Sequence, residues 1–311
     1  MALSSAGGRG GPGKTKVLYV MGAGRSGSTI LGVALGNCAE VCFAGELDKW
    51  LPRSGEPKRR DSERVAFWSS VRPRVADAEP LFGGQSHRYL ERSSALFRRG
   101  RRRARRRLVV GYRRVASELY AAVAATAGAS CVVDTSHYAL RARELQSLPG
   151  VELYLLMLVR HPQDVVASFA KDDVVERRFS PPTTRAYLLL TYLVSSWVFL
   201  RQPRERRTLL RYEDLLEDPH GVLGDLLAWV GCASETPDFD ALETGVAFHG
   251  NRMLGESVVA LQRHPPASAQ GDRIGRLFAR LMLFGLERLG PRVKPRSTDA
   301  GSRSRAGVAA S

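Results

Sequence analysis

A glycine-rich loop between a short apolar run and a helical repeat is the feature that most constrains this 311-residue chain. The run Val17–Met21 is apolar and partly β-branched, which predicts a buried strand. Gly22, Gly24 and Gly27 follow, and apolar residues at helical spacing resume from Ile30. Because a strand, a glycine loop and a helix together aim backbone N–H groups at an anion, this segment predicts a phosphate or sulfate site.

Polar side chains within the same loop narrow the choice of anion. Arg25 supplies a permanent positive charge, and hydroxyl donors come from Ser26, Ser28 and Thr29. The Walker A loop of a nucleotide triphosphatase has a lysine where this chain has Ser28. The loop therefore predicts a related anion site with a different cargo. A glycine-rich turn without a ligand is the simpler alternative, and the loop alone does not exclude it.

Further apolar runs alternate with helical segments along the chain. This alternation predicts a three-layer α/β sandwich with a mainly parallel central sheet and helices on both faces. Ligands of such sheets bind beyond the carboxyl ends of the strands. Polar side chains that each follow a predicted strand are Arg25, Glu46, His137, Arg160 and Tyr212. We expect these groups to meet at one edge of the sheet.

The segment Arg160–Ser168 is a second candidate anion site. Arg160 closes a predicted strand, and Ser168 lies about two turns into the next helix. Alone, this is an ordinary strand-to-helix junction. Together with the first loop, it resembles the sulfotransferases that use 3′-phosphoadenosine-5′-phosphosulfate (PAPS). In that resemblance, Arg25–Thr29 is the 5′-phosphosulfate loop and the second segment binds the 3′-phosphate.

The resemblance extends over roughly residues 16–289 and includes Tyr212–Pro219, which looks like the tyrosine motif that follows a later strand of the family. An arginine in the first loop is similar to bacterial members, whereas animal cytosolic enzymes have a lysine. The family implies a P-loop-like fold, PAPS as the donor and no metal. Donor-binding roles then fall to Gly24, Arg25, Ser26, Gly27, Ser28, Thr29, Arg160, Ser168, Tyr212, Asn251 and Arg252. Tyr212 would lie near the adenosine; Asn251 and Arg252 would close over the 3′-phosphate or form a surface turn.

Three residues are candidates for the chemistry of sulfuryl transfer. Arg25 would stabilise the charge that develops on the bridging oxygen. Glu46 is similar in placement to the glutamate base of tyrosylprotein sulfotransferases, and His137 lies close to the histidine base position of cytosolic sulfotransferases. We favour Glu46 as base, with His137 as a second base or an acceptor-positioning group. The alternatives are a capping or surface carboxylate for Glu46 and a histidine bonded to Asp134 for His137.

The charge of the chain is unevenly distributed. Lysine and arginine number 47 against 31 acidic residues, a net charge of +16, and eleven arginines without an acid lie between Arg92 and Arg114. A solvated helical face is the simplest interpretation of this arginine run. Contact of Arg98–Arg107 with an anionic membrane is a second, and nucleic-acid binding is a third. The third leaves Arg25, Arg160 and Ser168 without a role, so we predict no specific nucleic-acid partner.

Composition also predicts the domain organisation. We expect a flexible leader at 1–15, one domain at 16–290 with a basic helical insertion near 62–128, and a disordered tail at 291–311. The chain has no apolar signal segment, and its four cysteines lack metal-ligand spacing, so we predict a cytoplasmic protein with reduced thiols. The acceptor would be a small molecule, a carbohydrate or a lipid-linked alcohol, and the sequence does not predict an oligomeric state.

A nucleotide-dependent phosphotransferase with a P-loop is the main rival function. It requires the P-loop lysine and an acidic residue for Mg²⁺ at the end of an apolar strand. Ser28 replaces the lysine, and the sequence offers only the short run before Asp134 for the acid. The sequence therefore favours sulfuryl transfer over phosphoryl transfer.

Overall fold

The computed structural model describes residues 13–170, 180–232, 235–262 and 273–295. Its main sheet has six parallel strands in the order β2-β3-β1-β4-β5-β8. A two-stranded antiparallel sheet, β6-β7, stands apart from it. The strands are β1 (Thr15–Gly22), β2 (Val41–Gly45), β3 (Cys131–His137), β4 (Val151–Val159), β5 (Arg207–Arg211), β6 (Leu242–Glu243), β7 (Val258–Val259) and β8 (Arg292–Val293).

Helices cover both faces of the main sheet, which confirms the predicted sandwich. They are α1 (Ser28–Gly36), α2 (Ser62–Val71), α3 (Arg101–Ala127), α4 (Ala139–Leu145), α5 (Pro162–Ala170), α6 (Pro181–Phe199), α7 (Tyr212–Glu217), α8 (Pro219–Val230) and α9 (Arg273–Leu286). Alternate residues of β1 enter different cores: Tyr19 packs with α3 and α6, and Leu18 packs with α1 and α8. Both faces of the strand are therefore buried, as its apolar sequence predicts.

The strand register brings the carboxyl ends of the strands together. Met21 near the end of β1 pairs with His137 of β3, and Gly22 pairs with Leu158 of β4. Val159 of β4 in turn pairs with Arg211 of β5. All these pairs are parallel, so the loops that follow the strands leave from one edge of the sheet. The polar residues that the sequence analysis predicted to follow these strands lie at this edge.

The basic insertion is a part of the sandwich. The second half of α3 buries Leu119, Tyr120 and Val123 in the same core as β1. Its first half carries arginines, and Gly128 ends the helix in a left-handed conformation with a φ of 63°. The predicted insertion therefore divides into a core-forming half and a charged half.

The prediction that residues 291–311 form a disordered tail is wrong for the first residues of that segment. Arg292 and Val293 form β8, which pairs with Leu209 and Leu210 of β5. The guanidinium of Arg292 also donates to both carboxylate oxygens of Asp214, at 2.7–3.0 Å. A two-residue strand held by an ion pair has no signature in a Ser/Gly/Arg-rich sequence. Residues 296–311, and residues 1–12 of the predicted leader, lie outside the described part of the chain, and Thr15 already belongs to β1.

Candidate functional site

The loop after β1 adopts the left-handed backbone that its glycines allow. Gly27 has a φ of 94° and precedes the first residue of α1, and Arg25 has a φ of 68°. A Cβ atom on Gly27 would overlap the ring of Tyr212, so glycine is required both by conformation and by contact. The backbone N–H of Gly24 donates to the hydroxyl of Tyr187 at 2.9 Å. The loop is thus fixed by two tyrosines from later elements.

The two predicted anion motifs meet in space. Arg25 Nε donates to Ser168 Oγ at 3.1 Å, and Arg160 donates to the backbone carbonyl of Arg25 at 3.2 Å. The guanidinium of Arg160 also lies 5.0 Å from the ring centroid of Tyr212, a cation–π contact. We call Arg25, Arg160, Ser168 and Tyr212 the loop-arginine cluster. It holds two permanent positive charges beside the N-terminus of α1, whose dipole also favours an anion.

The other loop residues differ in their exposure. Ser26 is buried, so its hydroxyl faces the interior beside Tyr192. Ser28 and Thr29 are half-buried and form the first turn of α1, where N–H groups have no partner within the helix. No acidic residue lies in that turn. Ser28 and Thr29 are therefore better placed than Ser26 to donate to an external anion.

A cavity of about 460 Å³ opens beside the loop-arginine cluster. Its volume is within the range of small-molecule sites. Its lining combines arginines with apolar side chains. The lining residues include Arg25, Tyr212, Asn251, Arg252, Ile30, Met253, Val259 and the carboxylate of Glu256. Asn251 and Arg252, which the family resemblance implied, thus line the same cavity as Arg25 and Tyr212.

Glu46 lies directly after β2 and pairs with a histidine that is distant in sequence. Its Oε2 is 2.8 Å from Nδ1 of His249, and its backbone N–H donates to the His249 carbonyl, also at 2.8 Å. Gly45 before it has a φ of 77°, and a Cβ there would overlap that carbonyl. We call Glu46 and His249 the glutamate–histidine pair. Both side chains are 19% exposed, so solvent reaches them.

The surroundings of Glu46 favour its ionised form. Burial alone would raise the pKa of this carboxyl. The hydrogen bond with His249 and the charges of His137, His249 and Lys49 outweigh burial and hold the pKa below its ordinary value. Glu46 is therefore a carboxylate at neutral pH, able to accept a proton. His137 contributes to this effect from the end of β3, where its φ is 54°.

His249 is a site residue that the sequence analysis missed. It lies 203 positions after Glu46, and no local motif marks it. The only available signal is its position two residues before Asn251, in the segment that the resemblance selected. This segment joins the two parts of the site, because His249 binds Glu46 while Asn251 and Arg252 line the cavity with Arg25.

Asp134 does not orient His137, contrary to one alternative from the sequence. Its carboxylate accepts hydrogen bonds from Tyr120 at 2.5 Å, from Ser136, and from Arg141 at 3.2–3.3 Å. The side chain is fully buried, because Tyr120 and Arg141 of the adjacent helices α3 and α4 enclose it. These contacts also engage the Asp134 carboxylate, which a Mg²⁺-dependent phosphotransferase would need to hold its metal ion.

A buried charge network continues beneath the glutamate–histidine pair. Ligand atoms of Asp48, His87 and Glu91 lie within 4.8 Å of one another, which is close enough to hold a cation. However, Lys49 donates to Asp48 at 2.7 Å, and Arg141 donates to Glu91 at 2.6 Å. Arg141 also binds Asp134, and Nδ1 of His87 lies 2.9 Å from Glu91 Oε2 and 3.5 Å from Asp48 Oδ2. Ion pairs and hydrogen bonds therefore link all three buried carboxylates.

Comparisons with known proteins agree with this geometry. Residues 18–236 match the family model described as the sulfotransferase family. A solved structure, the sulfotransferase domain from the curacin biosynthetic pathway, has a TM-score of 0.51 and 15% identity, and the match covers 88% of this chain and 98% of that one. The sulfotransferase domain of the Synechococcus PCC 7002 olefin synthase has a TM-score of 0.49 and 17% identity, with 88% and 96% covered. No curated protein matches. The first structure shows that the fold is shared.

Proposed function

Because this chain belongs to the sulfotransferase family, we propose that it transfers a sulfuryl group from PAPS to a hydroxyl or amine of an acceptor. One observation carries the donor assignment: the hydrogen bond from Arg25 to Ser168, with Arg160 bound to the Arg25 backbone. It unites two segments that are 143 residues apart into one cationic site. A donor with negative groups at both its 5′ and 3′ positions requires two such anion-binding segments.

The donor fits the cavity through its chemistry. The phosphosulfate would bind at the first turn of α1, where Ser28 and Thr29 add hydroxyl groups to the charge of Arg25. The 3′-phosphate would bind Arg160 and Ser168, with Asn251 and Arg252 closing over it. The adenosine would lie near Tyr212, against apolar residues of the lining such as Ile30 and Met253. No metal is needed, because arginine side chains and backbone N–H groups balance the anionic charge.

Transfer then requires a base and a stabilised leaving group. The acceptor oxygen attacks sulfur, the bond from sulfur to the bridging oxygen breaks, and the adenosine bisphosphate leaves. Glu46 takes the acceptor proton, and His137 orients the acceptor or serves as a second base. Arg25 stabilises the negative charge on the bridging oxygen by charge and hydrogen bonding, since a guanidinium does not give up a proton at neutral pH. We propose a small molecule, a carbohydrate or a lipid-linked alcohol as acceptor.

Calorimetric titration with 3′-phosphoadenosine-5′-phosphate tests the donor site. We expect the bisphosphate to bind without Mg²⁺ and more tightly than ATP or AMP. Arg160→Ala should weaken this binding roughly 10- to 100-fold, because a charged hydrogen bond is lost. Arg74→Ala, which removes an exposed arginine far from the loop along the chain, is the matched control. Binding of ATP with Mg²⁺ and none of the bisphosphate would instead identify a phosphotransferase.

A further inference from the structure

The outer face of α6 is apolar although it is exposed. Its solvent-facing large side chains recur at helical spacing and are Leu189, Leu190, Leu193, Trp197 and Leu200, the last just after the helix. Leu193 is 60% exposed and Leu200 is 50% exposed. A helix at the surface of a globular protein normally places polar residues there. A continuous apolar stripe on the exposed face of α6 therefore indicates that this face contacts a membrane or another molecule.

Arginines surround this stripe. The guanidinium groups of Arg143 on α4 and of Arg201, just after α6, lie 4.8 and 4.2 Å from the ring centroid of Trp197. Arg105 of α3 forms an ion pair with Glu144, the residue next to Arg143 on α4. Burial and the charge of Arg105 lower the pKa of the Arg143 guanidinium, and Glu144 opposes this effect. The arginine run of α3 thus reaches the apolar stripe through Arg143.

The charge of this run is only partly balanced. Glu144 binds Arg105 and Arg113, and Asp77 binds Arg114. The exposed arginines of the first turns of α3 have no carboxylate within ion-pair distance in the described part of the chain. They are Arg102, Arg103, Arg106 and Arg107. The surface therefore combines an exposed apolar stripe with an excess of positive charge.

The final helix repeats this combination. Ile274, Leu277, Leu281 and Phe284 of α9 are all more than half exposed and lie on one face. Arg288 stacks on Phe284 at 3.6 Å from the ring centroid. Helix α5 contacts both α6 and α9, and the buried sides of these helices share one core. Both exposed stripes consequently belong to the same side of the sheet.

We propose that this side of the molecule, formed by α6 and the arginine run of α3, binds the surface of an anionic lipid bilayer. Leucine and tryptophan side chains would enter the boundary between headgroups and acyl chains, and the arginines would bind the negative headgroups. Charge decides against a second copy of this chain, because two such surfaces would repel each other. The leucine stripe decides against nucleic acid, which needs the arginines alone. In the described segments, no helix is long and apolar enough to cross a bilayer, so this contact would be peripheral.

The surface also adjoins the candidate site. Tyr187, which holds the Gly24 N–H, lies on α6 only two residues before the first leucine of the stripe. A protein bound through this face would hold the loop after β1 close to the membrane. The membrane proposal does not depend on the proposed donor or on catalysis, so it can be tested by measuring lipid binding alone.

Co-sedimentation of the full chain with vesicles tests the proposal. Vesicles of phosphatidylcholine with phosphatidylserine should bind the protein, vesicles of phosphatidylcholine alone should bind it far less, and salt should weaken binding. Arg103→Gln combined with Arg107→Gln should reduce affinity about fivefold for each arginine. Lys58→Gln combined with Arg74→Gln, which removes two exposed charges elsewhere, is the matched control.

A second variant separates lipid binding from simple charge attraction. Leu193→Gln should reduce vesicle affinity about tenfold, because it removes an inserted leucine, whereas Val65→Gln on α2 should leave it unchanged. Equal binding to neutral and anionic vesicles, or none, would overturn the proposal. So would a dimer in light scattering that Leu193→Gln abolishes without any lipid binding. RNA binding that only the arginine substitutions weaken would overturn it as well.

Discussion

The loop-arginine cluster and the glutamate–histidine pair occupy one edge of the sheet but are built in different ways. The cluster joins short segments, each with its own recognisable sequence, and its two arginines stay charged at neutral pH. The pair joins the end of β2 to a residue 203 positions later, and the role that we propose for Glu46 depends on a pKa that its surroundings lower. In the function that we propose, the segments that bind the anion can each be recognised in the sequence, whereas the base depends on tertiary contacts. The two regions should therefore fail in different ways when they are changed.

Loss of the proposed base, Glu46, should give the largest effect and should separate catalysis from donor binding most clearly. Glu46→Gln should lower kcat about a thousandfold, because general base catalysis contributes typically 10²–10⁴-fold. Affinity for the adenosine bisphosphate should stay unchanged, as the loop-arginine cluster is intact. Steady-state kinetics and calorimetry measure the two quantities. Glu63→Gln on α2 is the matched control, and a loss of bisphosphate affinity in Glu46→Gln would show that the regions are not separable.

A Cβ atom in the first loop should damage the other region. Gly27→Ala should destabilise the protein by roughly 1–3 kcal/mol, because the added atom overlaps Tyr212 and alanine must adopt a φ of 94°. Bisphosphate affinity should fall with it. Gly128→Ala has a φ of 63° and open space around the new atom, so it isolates the cost of conformation, about 1 kcal/mol. Urea unfolding compares the two, and equal losses would contradict the contact with Tyr212.

Removal of His249 should change the pH dependence more than the affinity. His249→Ala should reduce activity roughly tenfold at neutral pH through loss of a hydrogen bond to a charged group. It should also move the acidic limb of the pH–rate profile upward, because that bond lowers the Glu46 pKa. His249→Asn, which keeps a donor near the position of Nδ1, should restore part of both. An unchanged acidic limb would show that His249 does not lower the pKa of the catalytic group.

The same pKa shift predicts how Glu46 affects stability. Its pKa in the folded protein is below the ordinary value of 4.5, so its contribution to stability is present above that value and is lost as pH falls through the folded one. At neutral pH, Glu46→Gln should therefore lower the free energy of unfolding less in a His249→Ala background than in the wild type. Urea unfolding at neutral and acidic pH measures this difference. If the stability difference between wild type and Glu46→Gln grew as the pH was lowered, the pKa of Glu46 would not be lowered in the folded protein.

The smallest effect should come from the hydroxyl that holds the first loop. Tyr187→Phe removes the acceptor of the Gly24 N–H and should cost about 1 kcal/mol, or a fewfold loss of bisphosphate affinity. kcat should change little, because the glutamate–histidine pair is untouched. Tyr89→Phe, at a partly buried tyrosine of the basic insertion, is the control. A large effect on kcat alone would place Tyr187 with the base instead.

The fold was largely predictable because its signals are local. The sequence predicted a strand before each of Arg25, Arg160 and Tyr212, and β1, β4 and β5 lie there. Two-residue strands have no such signal: β8 forms because Arg292 binds Asp214 and its backbone pairs with β5. The tail prediction failed there for that reason. The order of the six strands was likewise not predicted, since it depends on pairing between distant segments.

The sequence by itself determined the glycine loop, the Arg160–Ser168 segment and the buried strands that carry them, because neighbouring residues specify each one. Only the tertiary structure decided that Arg25 binds Ser168 and that Glu46 binds His249. It likewise decided that Asp134 binds Tyr120 of α3 and Arg141 of α4 rather than His137. It also decided that the leucines of α6 face outward. Contacts across the fold set pKa values and exposure, and the spacing of residues along a chain does not encode them.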